Sequence, residues 1–346
     1  MALHQAIQRL LLIGAHLEKL APAPTPRPPP QLMPIIEAVT AAHDAFDKRA
    51  LHYGHRYRSG FWAIYLLSAV AVLFAVLPLA LGWDSPGHRL HSYAALWAAG
   101  EVLVIGTVSA IYWRGHRSRW QEQWLRARTT AELSWYLPVV APLLDFTDSQ
   151  TEANWYLRIF DPGQHVRTAD DVARLCERTE PLARKLLANA WSDPEFIASY
   201  ARWTIEILEQ QRHYHHGVAT RQHALLHRVH IVNSWLFGLT ALGALLHLAI
   251  HTIWLSLITT FFPALGASLH GALAQSEAYR LDNTSRRLVS QLYGAIERIR
   301  ATLDAAGYAA GEVGAVRVSI QAAMALILEE HQDWHLLVRP HQLPLG

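Results

Sequence analysis

Cysteine is almost absent from this 346-residue chain. A single thiol, Cys176, excludes an intramolecular disulfide and any zinc site built on several thiolates, so nothing argues for an oxidising compartment. Lysine is nearly as scarce, with Lys19, Lys48 and Lys185 leaving 27 of the 30 basic side chains as arginine. Charged residues make up 17% of the chain, against about 25% in a typical soluble domain. The net charge of +2 is too even to imply nucleic-acid binding. No GxxxxGK[ST] motif supports P-loop hydrolysis and no HExxH supports a metalloprotease. The one stretch resembling a nucleophile elbow, GASLHG from Gly266, carries His270 where the final glycine belongs. No strand-rich stretch is present. These absences point to an all-α, non-enzymatic protein with no cofactor.

What the chain has in excess is apolar residues, 51% of the total, gathered into long runs. Phe61 to Gly82 carries no charge and meets the ~20-residue length that a 30 Å hydrocarbon layer demands. Tyr93 to Trp113 follows after a short polar turn and is interrupted only by Glu101. Val232 to Ile250 and Thr252 to Leu273 form a second pair, separated at His251, with Pro263 expected to kink or locally unwind the last. Turns this short bring each pair back antiparallel. The expected fold is therefore an all-α integral membrane protein with two tandem transmembrane hairpins and cytoplasmic helical extensions. Trp83, Trp97, Trp113 and Trp120 sit where interfacial anchors are expected.

Arginines flank the outer ends of both pairs: Arg56, Arg58, Arg114, Arg117 and Arg119 for the first, Arg221, Arg228, Arg280, Arg286 and Arg287 for the second. The intervening tips hold only Asp84 and Arg89 in one case and no formal charge in the other. The positive-inside rule then places both termini and the middle segment in the cytoplasm of a multi-pass inner-membrane protein. The first apolar stretch, LLLIGAHL, is too short for a cleavable signal peptide, and the Asn283-Thr284-Ser285 sequon is cytoplasmic in this orientation.

The chain divides on this reading into an N-terminal helix and proline-rich linker (1–34), a first two-span unit (35–137), a cytoplasmic helical segment (138–205), a second two-span unit (206–300) and a C-terminal helix and tail (301–346). The linker, APAPTPRPPPQLMP, favours extended polyproline geometry and should tether without folding. Ile35 to Tyr57 should run directly into the first span, and a long helix from Pro194 into the third. Trp120 to Leu137 should be a helix ending near Pro138 and Pro142, and Asp161-Pro162-Gly163 marks a turn. HRYRSGFWAIYLL from His55 matches HRVHIVNSWLFGLT from His227 in its His-Arg pair, the basic residue two positions on and the apolar run, which indicates a duplicated parallel unit.

Four stretches, ALHYGHRYRSGFWAIYLLSAVAVL, WLRARTTAEL, EQQRHYHHGVATRQHALLHRVH and FFPALGASLHGALAQSEAYRLDNTSRR, resemble the membrane-spanning SLATT-like effector domains found with SLOG-type nucleotide-sensing modules in bacterial conflict systems. The resemblance extends from about Ala42 to Arg287. It implies a bacterial inner-membrane effector, pore-forming or membrane-perturbing, activated by a nucleotide signal during phage infection. No Gly-rich phosphate-binding segment accompanies it, so sensing falls to a partner protein or to the cytoplasmic helices binding a nucleotide themselves.

Glu101 is the sharpest single candidate, because an ionisable side chain within a span costs about 2.5–3.5 kcal/mol on insertion scales. It fits a cation-attracting ring or gate in a homo-oligomeric pore, or a protonated acid hydrogen-bonded to a neighbouring helix, for instance through His247. His247, Ser268 and His270 are polar candidates in the second pair, for pore lining or interhelical hydrogen bonds. Arg56, Arg58, Arg114, Arg117, Arg228 and Arg280 could couple the spans to anionic headgroups or a nucleotide, or serve only as topology determinants. His216, Thr220, His223, His227 and His230 form one helical stripe; His223, His227 and His230 could share a metal ion or sense protons, but no interleaved carboxylate completes a shell, and packing is the simpler role. His331 and His335, with Glu329, Glu330 and Asp333, make a second cluster that reads as a solvated tail. A small ion or metal transporter using Glu101 and the histidine stripe, and a membrane scaffold that docks a soluble partner, are the alternatives to the effector.

Overall fold

The structure is a computed structural model describing residues 1–15, 22–83, 85–89, 91–143, 166–187, 190–250, 252–305 and 310–337. It is helical throughout, with no strand among the described residues. The helices are α1 (Leu3–Leu11), α2 (Met33–Ala80), α3 (Ala94–Arg117), α4 (Trp120–Val140), α5 (Val166–Leu187), α6 (Pro194–Ala249), α7 (Trp254–Gln275), α8 (Ala278–Ala305) and α9 (Ala310–Leu337).

Two of them are far longer than a bilayer is thick. At 1.5 Å per residue, the 48 residues of α2 and 56 of α6 extend roughly 70 and 85 Å, more than twice the ~30 Å hydrocarbon layer. The polar first half of each continues without interruption into its apolar second half. Helices α2, α3, α6 and α7 carry the four stretches long and apolar enough to cross a membrane, which is consistent with a membrane protein.

The order of elements repeats. A long helix, a shorter apolar one (α3, α7), a break and a polar helix (α4, α8) occur twice. Both breaks turn on one residue in the left-handed region, Arg119 at φ 46° and Glu277 at φ 58°. Such a conformation is unfavourable for a side chain bearing a Cβ, so the same uncommon backbone geometry closes both apolar helices α3 and α7.

Helix α4 ends at Val140, between Pro138 and Pro142 as expected, before a 3₁₀ turn at Ala141–Leu143. Local chemistry departs from expectation in two other places. Pro263 lies inside an unbroken α7, so the fourth apolar stretch is not unwound there. The proline-rich linker does more than tether. The amide of Arg27 donates to Glu206 at 2.8 Å, Pro30–Leu32 forms a 3₁₀ turn, and Leu32 is wholly buried. Asp84, His251 and the Asp161-Pro162-Gly163 turn lie outside the described residues, as do the side chains of Glu329, Glu330, His331, Asp333 and His335.

The chain forms two compact units, each assembled from three separate stretches. The first comprises Met1–Glu18, Gly54–Trp120 and Val218–Asn283, and so holds all four apolar stretches. Its buried cluster joins Phe61 and Trp62 of α2, Leu225 and Val229 of α6, and Leu269 and Leu273 of α7. Elsewhere its helices present large apolar side chains outward, with Val102 and Leu103 each 70% exposed, Trp235 70% and Phe237 76%. In water such a surface would aggregate; in lipid it is the normal outside.

The second unit comprises Lys19–Tyr53, Gln121–Gly217 and Thr284–Gly346. Its core draws Ile35 from α2, Leu133 and Val140 from α4, Val172 from α5, Phe196 and Leu208 from α6, Leu292 and Ile296 from α8, and Ile320 and Met324 from α9. Asp171 of α5 bridges Arg126 of α4 at 2.6 Å and Arg174 at 2.5 Å. Burial pushes its carboxyl up, but the hydrogen bonds and charges of the two arginines outweigh that and hold it below the ordinary value.

Cys176 packs against this core, and burial, then Glu180 and Glu177, push its thiol up to about 12. Thiolate is the reactive form. Cys176 should therefore resist iodoacetamide at pH 8 in the folded protein and react fully in denaturant; rapid labelling of the native chain would contradict the packing.

Candidate functional site

The candidate site lies in the first unit, where the apolar stretches begin and where their one carboxylate resides. Helix α3 meets α2 through Trp97, which packs on Phe74 at 5.2 Å between ring centroids, and through Gly100, where an added Cβ would come within 2.6 Å of the Phe74 ring. Val104 continues that buried stripe. At 100° per residue, Glu101 falls on the edge of this α2-facing stripe, half-buried, while the following Val102, Leu103 and Ile105 face outward. Glu101 makes no hydrogen bond or ion pair with any other described residue. Its carboxyl is thus set beside the apolar stripe of α3 with no partner among the described residues.

The other pore candidates do not converge on it. Ser268 is buried in α7 beside Leu269, whereas His270 and His247 are exposed. His247 has an interaction of its own, which does not involve Glu101.

The six arginines divide by their engagement. Arg228 of α6 donates through Nη2 to the carbonyl of Gly14 at 2.6 Å, and Arg58 of α2 donates through Nε to Gly54 one turn back at 3.2 Å. Arg280 pairs with Glu277 at 3.1 Å, and Arg117 lies over the Trp113 ring at 5.2 Å. Arg56 and Arg114 are exposed and make no hydrogen bond or ion pair with the other described residues. They are the two of the six whose charge is most available to an external anion.

In the histidine stripe, His223, His227 and His230 are all exposed, while His216 and Thr220 are half-buried and engaged. Asp282 of α8, itself buried, places Oδ2 3.3 Å from Nδ1 of His223. A carboxylate does therefore meet the stripe, from a different helix, which sequence spacing had no means of revealing. Even so, no three His, Cys, Asp or Glu side chains gather to hold a metal ion among the described residues.

Sequence reasoning also missed how α1 is held. Its Ile7 and Leu11, with Leu12 beyond its end, pack on the buried cluster of α2, α6 and α7. His4 is only 3% exposed, and its Nδ1 lies 3.1 Å from Ser59 Oγ, with its ring 5.4 Å from that of His55. Burial, then Arg58 and His55, lower the His4 pKa to about 4, and burial, then Arg58 and the N-terminal amine, lower that of His55. The sequence reads as a short N-terminal amphipathic helix over Met1 to Leu20, but does not say which surface that helix covers. No family model, curated protein or solved structure matches this chain.

Proposed function

We propose that this chain is a non-enzymatic effector of the bacterial inner membrane. On this reading its four apolar stretches form two tandem hairpins that assemble with those of further copies into a pore or a membrane lesion. The helical second unit lies in the cytoplasm and controls that assembly in response to a nucleotide-linked signal, received directly or from a partner protein, in anti-phage defence. The resemblance to SLATT-like effectors supplies the biological setting. The repeated element order supports a duplicated hairpin, and the outward apolar surface supports lipid as the surrounding medium.

One observation carries the pore reading: Glu101, half-buried in an apolar helix, has no partner among the described residues. An unsatisfied carboxyl at that depth is costly unless water, a cation or another copy meets it. A ring of such groups is the usual way to attract cations into a narrow path. Arg56 and Arg114 supply exposed positive charge for an anionic headgroup or nucleotide.

The test is ion and dye flux from liposomes reconstituted with the full-length protein. Cation flux is expected, and Glu101→Gln is expected to lower it at least several-fold while leaving reconstitution yield unchanged. Flux that is indifferent to Glu101→Gln would remove the residue from the path. No flux under any cyclic or linear nucleotide would leave the scaffold reading in its place.

A further inference from the structure

We propose that α1 is a releasable strap that clamps α2 and α6 where their apolar stretches begin and α7 where its own stretch ends, and that protonation of the buried His4 releases it. The geometry is that of a clasp held at two points. At its first turn, His4 sits under α1 with its Nδ1 against Ser59 of α2, and the His4 amide lies 3.5 Å from the same hydroxyl. Past its last turn, Arg228 of α6 holds the carbonyl of Gly14. Between these points, Ile7, Leu11 and Leu12 lie against the cluster that joins Phe61 and Trp62 to Leu225, Val229, Leu269 and Leu273. A nine-residue helix is too short to persist alone in water, so its order depends on this dock.

The dock is unusual in its charge. The groups facing His4 from α2 are His55 and Arg58, α6 contributes Arg228 at the far end of α1, and the N-terminal amine acts on His55. The acids of this unit's α7–α8 junction are engaged with other groups: Glu277 pairs with Arg280 and acts on Tyr57, and Asp282 meets His223. A proton arriving on His4 therefore enters a buried site with positive neighbours and, among the described residues, no carboxylate acting on the ring.

The sign follows directly. Docked His4 titrates near 4 and a free imidazole near 6.5. The docked state thus binds its proton more weakly, the strap is at full strength above pH 6.5, and it weakens as pH falls toward 4. Linkage between those two values makes undocking roughly 30-fold more favourable at pH 5 than at pH 7.5. The lowered pKa of His55 acts in the same direction.

Hydrogen exchange on the full-length protein in lipid nanodiscs, at pH 7.5 and pH 5 and corrected for intrinsic rates, tests this. The amides of Leu3–Leu11 should open roughly 30-fold more at pH 5, with Tyr57–Trp62 and Leu225–Val229 losing protection alongside them. His4→Asn, which keeps a hydrogen-bonding group near the position of Nδ1 but cannot be protonated, should bring the ratio close to one. Arg58→Met, which removes a positive neighbour, should shrink it, and this variant decides the matter if His4→Asn fails to dock. A ratio unchanged in both variants, or α1 opening with no change in α2 and α6, would overturn the strap.

Discussion

Replacing Gly271 by leucine should abolish native packing of the first unit, and replacing it by alanine should cost about 1–3 kcal/mol, as overfilling a close-packed contact does. A Cβ at Gly271 would collide with the ring of Tyr65, which is itself half-buried against the cluster of Phe61, Trp62 and Leu269 and has little room to retreat. Gly100→Ala against Phe74 should behave likewise, since the approach there is 2.6 Å, and Gly243→Ala, at 3.1 Å from the Cγ2 methyl of Ile258, should cost less. Close helix contact through small residues is how apolar helices associate where lipid removes the hydrophobic drive. Gly106 and Gly238 have nothing within 4 Å of an added Cβ, so alanine there should be neutral or stabilising through helix propensity. Thermal unfolding in nanodiscs checks the series, and Tyr65→Ala should restore much of what Gly271→Ala loses. Equal effects at Gly271 and Gly106 would mean that packing is not what the glycine at 271 supplies.

The second large effect belongs to the end of α4. A helix leaves its last carbonyls without partners, and a buried end must find donors elsewhere. Three side chains from distant sequence provide them. The Tyr200 hydroxyl donates to Val139 at 2.5 Å, Trp191 Nε1 to Pro142 at 2.6 Å, and Arg317 Nη2 to Leu143 at 2.8 Å. The three donors also pack on one another, with Arg317 over Trp191 at 5.6 Å and Trp191 edge-on to Tyr200. Tyr200→Phe, Trp191→Phe and Arg317→Met each leave a carbonyl unpaired in a buried setting, at about 1–3 kcal/mol apiece. Against a total stability of about 5–15 kcal/mol, the triple variant should leave the second unit largely unfolded. Alkylation of Cys176 reads this directly, because the thiol becomes reactive only when its surroundings open. A triple variant that still protects Cys176 would show that water reaches those carbonyls.

Much of the architecture was legible along the chain. Four apolar runs and the lack of any strand-rich stretch led to an all-helical protein with four stretches fit to cross a membrane, because those properties are local and additive. Continuity of Ile35–Tyr57 with the run from Phe61, and of the helix from Pro194 with the run from Val232, was also legible, since no proline stands between them. The prolines were legible in one place and not in another. Helix α4 ends at Val140, between Pro138 and Pro142 as read from the sequence, whereas α7 shows no unwinding at Pro263, where the remaining helix hydrogen bonds outweigh the one lost amide donor. The candidate site was legible only as individual residues. Glu101 stood out by its charge, but its lack of a partner, the approach of Asp282 to His223, and the docking of His4 beneath α1 are relations between segments more than 50 residues apart.

By itself, then, the sequence determined which segments are helical, which are apolar enough for lipid and where the arginines gather, since each depends on composition within a few turns. Tertiary structure alone decided that each compact unit is built from three separated stretches, that a nine-residue helix packs on the cluster joining α2, α6 and α7, and that three donors converge on the end of α4 and the turn after it. The physical reason is that helix formation and lipid solubility depend on near neighbours along the chain. Burial and hydrogen-bond satisfaction depend on neighbours in space, and a single sequence does not state who those are.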